Sequence, residues 1–331
     1  MKYRFLGKTG VKVSALCFGT MSFGGDADAK TSADMFHFCR EKGINFFDCA
    51  DIYAQGKSEE ILGGLIKDCR AEVIITSKVY FASGQDINDS GSSRKHIRHA
   101  VESSLKRLKT DYIDIYYLHR FDDTVALEES LRVLDDLVRQ GKILYPAASN
   151  FAAWQTAKAL GTSERLGLAR FECLQPMYNL VKRQAEVEIF PLAQAESLSV
   201  FPYSPLGGGL LSGKYGVSAK PTGGRLVDNK IYQTRYSSEH AYRTAEKFSA
   251  LAATRGYHPA SLAVAWVASH PAVTAPIIGA RNLSQLETCV QAVDISLTSE
   301  LRAEISSLAF EPPPATDRSE ERTEHTFGIR K

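Results

Sequence analysis

The chain has 331 residues, of which 44% are apolar and 24% charged, with a formal net charge of +2 and Lys and Arg spread along its length. That length and composition suit a globular protein able to bury a large core without disulfide staples. The near-neutral balance gives no case for a nucleic-acid or anionic-membrane partner, and no run of about 18 apolar residues reads as a membrane span.

The N-terminal MKYRFLGKTG lacks an apolar signal segment, so a cytoplasmic location is expected. Tyr3–Leu6 and Val11–Val13 flank Gly7-Lys8-Thr9-Gly10 and read as a β-hairpin. Eight short apolar runs follow, each a candidate strand: Ser14–Phe18, Ile44–Phe47, Val73–Thr76, Tyr112–Leu118, Ile143–Ala147, Phe171–Leu174, Ser199–Phe201 and Val273–Ile277. Helical periodicity fills the intervals. Residues 31–42 open on Thr31-x-x-Asp34, which resembles a capping box, and stop at Gly43. Residues 93–109 align Ile97, Val101, Leu105 and Leu108 on one stripe; His96 and His99 are expected on the charged, solvated face. Residues 125–140 align Leu127, Leu131, Leu134 and Leu137 and end at Gly141. Strands alternating with helices imply parallel β-α units, in a closed barrel or an open doubly wound sheet. Residues 206–237 read as a long Gly-rich polar loop, and residues 311–331, opening on three prolines, as a mobile polar tail outside a domain spanning 1–310. Cys17, Cys39, Cys49, Cys69, Cys173 and Cys289 include no C-x-x-C pair and no metal-ligand spacing, so reduced thiols and no metal are expected.

Nearly every candidate strand stops at a residue able to do chemistry. The exits carry Asp48 with Tyr53 in the following loop, Lys78, His119, Ser149-Asn150, Gln175, Tyr203-Ser204 and Gly279. In a parallel barrel these ends would meet at the C-terminal face, where active sites form. A tyrosine, with an ordinary pKa of about 10, is a weak acid at neutral pH. A nearby lysine ammonium would favour the phenolate and lower that pKa, and an aspartate would hold the ammonium. A neutral histidine could orient a carbonyl oxygen. Such a set polarises a C=O bond and supplies a proton, but holds no nucleophile, so the electron pair must arrive as hydride from a cofactor.

The segments Phe47-Asp48-Cys49-Ala50-Asp51-Ile52-Tyr53, Gly56-Lys57-Ser58-Glu59, Ile75-Thr76-Ser77-Lys78-Val79 and Tyr117-Leu118-His119-Arg120 resemble, in order, motifs of the aldo-keto reductases, in their bacterial and potassium-channel-beta-subunit branch. The resemblance implies a (β/α)8 TIM barrel with an N-terminal hairpin and NADPH-dependent reduction of a small-molecule carbonyl substrate. Tyr53 would be the general acid, tuned by Lys78 and Asp48, with His119 orienting the carbonyl. It further implies NADPH contacts at Thr20 and Met21, at Asp48, at Ser149, Asn150 and Gln175 for the carboxamide, and at Tyr203 under the nicotinamide ring. Ser204, Pro205, Leu206, Gly207, Lys214 and Arg225 would cover the pyrophosphate. Ile278, Gly279, Ala280, Arg281 and Gln285 would hold the adenosine phosphate, Arg281 taking the 2′-phosphate. At Thr288 and Cys289 the chain departs from the Glu–Asn pair that relatives often carry near the adenine. The same resemblance admits an NADPH-holding regulatory subunit with slow turnover.

Overall fold

The computed structural model describes residues 1–82, 84–219 and 221–316. Residues 317–331, most of the expected tail, lie outside the described residues. A hairpin of β1 (Tyr3–Phe5) and β2 (Lys12–Ser14) precedes eight parallel strands. These are β3 (Cys17–Gly19), β4 (Phe46–Asp48), β5 (Ile74–Val79), β6 (Ile113–Leu118), β7 (Ile143–Ser149), β8 (Cys173–Gln175), β9 (Ser199–Val200) and β10 (Ile277–Ile278). β3 through β9 pair in chain order and β10 pairs back onto β3. Thr274 N, in the segment leading into β10, donates to Val200 O, and Ile277 N, at the start of β10, to Pro202 O, both at 2.9 Å, so the sheet closes on itself. The fold is therefore a (β/α)8 barrel, which settles the choice left open by alternation alone.

Small and large side chains fill the barrel interior: Cys17, Phe46, Ile115, Tyr117, Ala147 and Phe201 pack with Leu6 and Val13 of the hairpin. The hairpin plugs the N-terminal end of the barrel. Gly7 N donates to Ser199 Oγ at 2.7 Å and Ser14 N to Asn45 Oδ1 at 2.7 Å, both at strand starts. With that end sealed, polar side chains collect at the other. Around the barrel, the stripe of helix Arg94–Leu108 is buried at Ile97, Val101 and Leu108, and that of helix Leu127–Arg139 at Leu131, Leu134 and Leu137. Gly141 takes φ +71°, as a residue ending a helix should. No helix among the described residues is long and apolar enough to cross a membrane.

Several expectations are corrected. Ser14 belongs to the hairpin, opposite Tyr3, and the first barrel strand starts at Cys17. The first helix spans Ala29–Glu41 and is capped by Asp28, whose carboxylate accepts from Thr31 N at 2.7 Å. Asp28 holds the extended backbone that a cap requires, whereas Thr31 is already helical. His96 is buried, 1% exposed, because it sits four residues before Ala100 on a core stripe wider than the four positions used to find it. The described residues between 206 and 237 are not structureless. The turn Gly207–Ser212 and short helices Arg225–Asp228 and Lys230–Arg235 are pinned by buried Leu210, Leu211, Leu226, Tyr232 and Tyr236. The six cysteines are free; five are buried and Cys69 is partly so.

Candidate active site

The C-terminal ends of β4, β5 and β6 bring Asp48, Lys78 and His119 to one side of the barrel mouth. Register explains the placement: Gly19 pairs with Asp48, Asp48 with Thr76, and Lys78 with Tyr117, so Asp48 ends β4, Lys78 is the last residue but one of β5, and His119 follows β6. Lys78 is wholly buried. Its ammonium donates to Asp48 Oδ2 at 2.7 Å, Cys49 O at 2.7 Å and the Tyr53 hydroxyl at 3.1 Å, so all three protons are used. Asp48 Oδ1 accepts from Thr76 Oγ1 and Gln175 Nε2, each at 2.8 Å. Tyr53 starts a turn that passes through left-handed Ala54, Gln55 and Gly56, a costly run that holds the phenol over the lysine. The rings of Tyr53 and His119 stand 6.3 Å apart, edge to face.

Electrostatics sets the protonation states. Burial pulls the Lys78 ammonium down, but the Asp48 charge and the hydrogen bonds to Asp48 and Tyr53 raise it further, so it stays cationic. Burial and the Lys78 charge hold His119 well below its ordinary range, so the imidazole is neutral. Burial raises the Tyr53 phenol, and Lys78 offsets only part of that rise. The lysine does favour the phenolate, as expected, but burial outweighs it, so the phenol lies above its ordinary range and not below it. The Asp48 carboxylate beside the ammonium adds a smaller push in the same direction as burial.

The expected cofactor residues fall into two groups. Ser149, Asn150, Gln175 and Tyr203 form one network: Ser149 Oγ donates to Gln175 O at 3.0 Å, Asn150 Nδ2 to His119 O at 3.0 Å, and Tyr203 OH to Asn150 Oδ1 at 2.7 Å. This network joins the tetrad through His119 and, by the Gln175 amide, through Asp48. The second group lies on the loops. Arg281 Nε meets Asp26 Oδ2 at 2.9 Å, and Arg281 N donates to Gln285 Oε1 at 3.1 Å. Ala280 O accepts from Ser22 Oγ at 2.7 Å, Ile278 is buried and Gly279 is exposed. Met21 is exposed, whereas Thr20 is buried and uses its hydroxyl on Asp48 O and Ser58 Oγ. After Ser204 and buried Pro205, Leu206 leads into Gly207, Gly208 and Gly209, all with positive φ. A Cβ on Gly208 would meet the Tyr232 ring at 2.6 Å, so the tight path there demands glycine. Lys214 is exposed, and Arg225 lies over the Tyr232 ring at 5.7 Å. Thr288 bonds its hydroxyl to Ser284 O and Cys289 is in the core.

Three features escaped sequence reading. Thr76 shares the inward face of β5 with Lys78, a period-two signal that could have marked it. Asp26, the ion-pair partner of Arg281, sits in an unremarkable turn. Behind the tetrad, Asp51 is buried with neither carboxylate oxygen bonded, near fully buried Glu59, which pairs with Arg107 at 2.6 Å. Burial, then Glu59, raises the Asp51 carboxyl from 3.8 to about 7. The folded protein thus keeps this proton where the unfolded chain has lost it, and stability falls as pH rises through about 4 to 7. Asp51→Asn removes that loss. Its melting temperature, relative to the parent, should therefore rise more at about pH 8 than at about pH 5; equal differences at both would contradict the assignment.

Comparison with known proteins agrees with the geometry. The model of the Aldo/keto reductase family matches residues 15–309. The chain is 37% identical over 302 residues to a probable voltage-gated potassium channel subunit beta of Arabidopsis thaliana, covering 89% of this chain and 92% of the other. It is 38% identical over 313 residues to the uncharacterized oxidoreductase YrpG of Bacillus subtilis, covering 91% and 94%. It is 32% identical over 326 residues to the versiconal hemiacetal acetate reductase of Aspergillus parasiticus, covering 91% and 94%. With a closed barrel, a buried Asp–Lys pair under a tyrosine, and a family match spanning most of its length, the chain belongs to the aldo/keto reductase family.

Proposed function

We propose that the protein reduces aldehydes or ketones to alcohols with NADPH, with Tyr53 as the proton donor. The observation that carries this reading is the Lys78 ammonium, which is saturated by Asp48, Cys49 O and the Tyr53 hydroxyl. A phenol held above its ordinary pKa keeps its proton until a stronger base forms beside it, and an alkoxide is such a base. Lys78 then bears the charge left on the phenolate, and Asp48 keeps Lys78 fixed while this happens. Neutral His119 orients the carbonyl oxygen toward the phenol. The reduced nicotinamide, when bound, supplies the hydride.

The residues present fit such a cofactor. Ser149 and Asn150 offer polar groups at the mouth, Tyr203 offers a ring face, the path through Gly207–Gly209 keeps backbone free of side chains, and Arg281 offers a guanidinium. Among the described residues the Arg281 guanidinium is fixed only through one nitrogen, to half-exposed Asp26, so it suits the 2′-phosphate. A charge-assisted bond contributes about 1.5–3 kcal/mol. Arg281→Ala should therefore weaken NADPH by roughly ten- to a hundredfold in a fluorescence titration and leave NADH almost unchanged. Equal losses for both would remove the 2′-phosphate assignment. Residues 1–310 would act as one catalytic unit, in the cytoplasm.

Similarity to proteins named as potassium channel beta subunits supports a second reading, a regulatory subunit that holds NADPH and turns over slowly. Steady-state turnover on small aldehydes separates the two.

A further inference from the structure

Beside the barrel mouth, under the loops that follow β7, β8 and β9, lies a cavity of about 360 Å³. Its apolar wall includes Phe151, Pro176, Met177 and Ile189, and its polar lining includes Lys182 and Arg235 but no carboxylate. Both cations are half-buried. Lys182 lies 5.9 Å from the Tyr236 ring centroid and Arg235 lies 5.2 Å from that of Tyr232. Among the described residues neither has an acidic partner at ion-pair distance, whereas adjacent Arg183 is paired with Glu186 at 2.8 Å. Two half-buried cations left unpaired beside an apolar wall raise the local potential and favour an organic anion. The cavity also touches the chemistry. Asn150 and Tyr203 line it, they bond to each other, and Asn150 bonds to His119 O. Arg235 is close enough to Tyr203 to act on its phenol.

We infer that this cavity is a substrate subsite for a negatively charged group, so that the preferred carbonyl compounds carry a carboxylate or a comparably compact anion. The inference rests on the carbonyl-reductase reading and deepens it. Arg235 would grip the anion with its planar fork and Lys182 would add a second positive charge, while the apolar wall holds the carbon chain.

The test compares kcat/KM for 4-carboxybenzaldehyde against benzaldehyde, and for 6-oxohexanoate against hexanal, with NADPH and the full chain. At least one acid should exceed its neutral partner by about tenfold or more, the scale of one charge-assisted bond. Arg235→Gln and Lys182→Gln should each reduce that preference several-fold, with rates on the neutral aldehydes retained, and Arg235→Lys should restore part of it. Turnover of the neutral aldehydes without any preference for the acids overturns the inference and leaves the reductase reading standing. So does a preference untouched by both glutamine variants. Equal weakening of NADPH and NADH in the variants also overturns it, since the cations would then serve the pyrophosphate. No turnover of any of the four compounds removes the reductase reading and this inference together.

Discussion

Tyr53→Phe should lower kcat by about a thousandfold or more, at the upper end of what a positioned general acid contributes. NADPH affinity should stay within a factor of about three, because only one neutral hydroxyl leaves the site. The fold should survive as well. Lys78 keeps its bonds to Asp48 and Cys49 O, and the lost contact from the ammonium to the phenol is the longest of its three, at 3.1 Å. Tight binding combined with lost turnover is what separates a proton donor from a residue that merely shapes the mouth. A variant that retained substantial turnover would refute the role, and a parallel loss of NADPH binding would point to a structural one.

Lys78→Met should affect both activity and stability. The side chain is fully buried, and its partner Asp48 is 2% exposed. Methionine of similar length fills the space but leaves the Asp48 carboxylate with only Thr76 and Gln175 as donors. Breaking a buried ion pair by removing one partner costs about 3–5 kcal/mol, a large share of the roughly 5–15 kcal/mol that holds a domain together. Denaturant unfolding should therefore show a clear loss of midpoint, and the folded fraction should have lost about a hundredfold or more in kcat, since nothing then bears the charge on the phenolate. Lys78→Met, Asp48→Asn should recover part of the stability, because the stranded charge is gone, but none of the activity. A single variant as stable as the parent would mean that the Lys78–Asp48 pair contributes little to the fold.

What was legible in the sequence follows from which forces act locally. Helix stripes such as Ile97, Val101 and Leu108 are written by period, and the structure buries them. The polar strand exits Asp48, Lys78 and His119 were legible as positions, because barrel topology brings every strand end to one face. Strand limits were less so. The register with neighbouring strands carries β4 to Asp48, β5 to Val79 and β7 to Ser149, and no single run records its partners. The barrel closure itself depends on bonds from Thr274 and Ile277 to Val200 and Pro202, which are far away in sequence. Tertiary cost was the least visible. The expectation for Tyr53 counted its ammonium neighbour but not its burial, and burial decided the direction. The charges flanking His96 suggest a solvated face, although its own spacing to Ala100 and Ser104 places it on the buried face. The glycines of 206–237 suggested an open loop, while the aromatic residues between them, Tyr232 and Tyr236, anchor it.

In the proposed reaction hydride passes to a carbonyl carbon while Tyr53 protonates the oxygen, and isotopic labelling reads that step directly. The parent protein is incubated with NADPH carrying deuterium at both C4 positions and with benzaldehyde, and the alcohol is analysed by mass spectrometry. The expected product is benzyl alcohol with one deuterium on the carbinol carbon, formed by the parent and nearly absent with Tyr53→Phe. Alcohol without deuterium, or equal labelled product from both proteins, would contradict it.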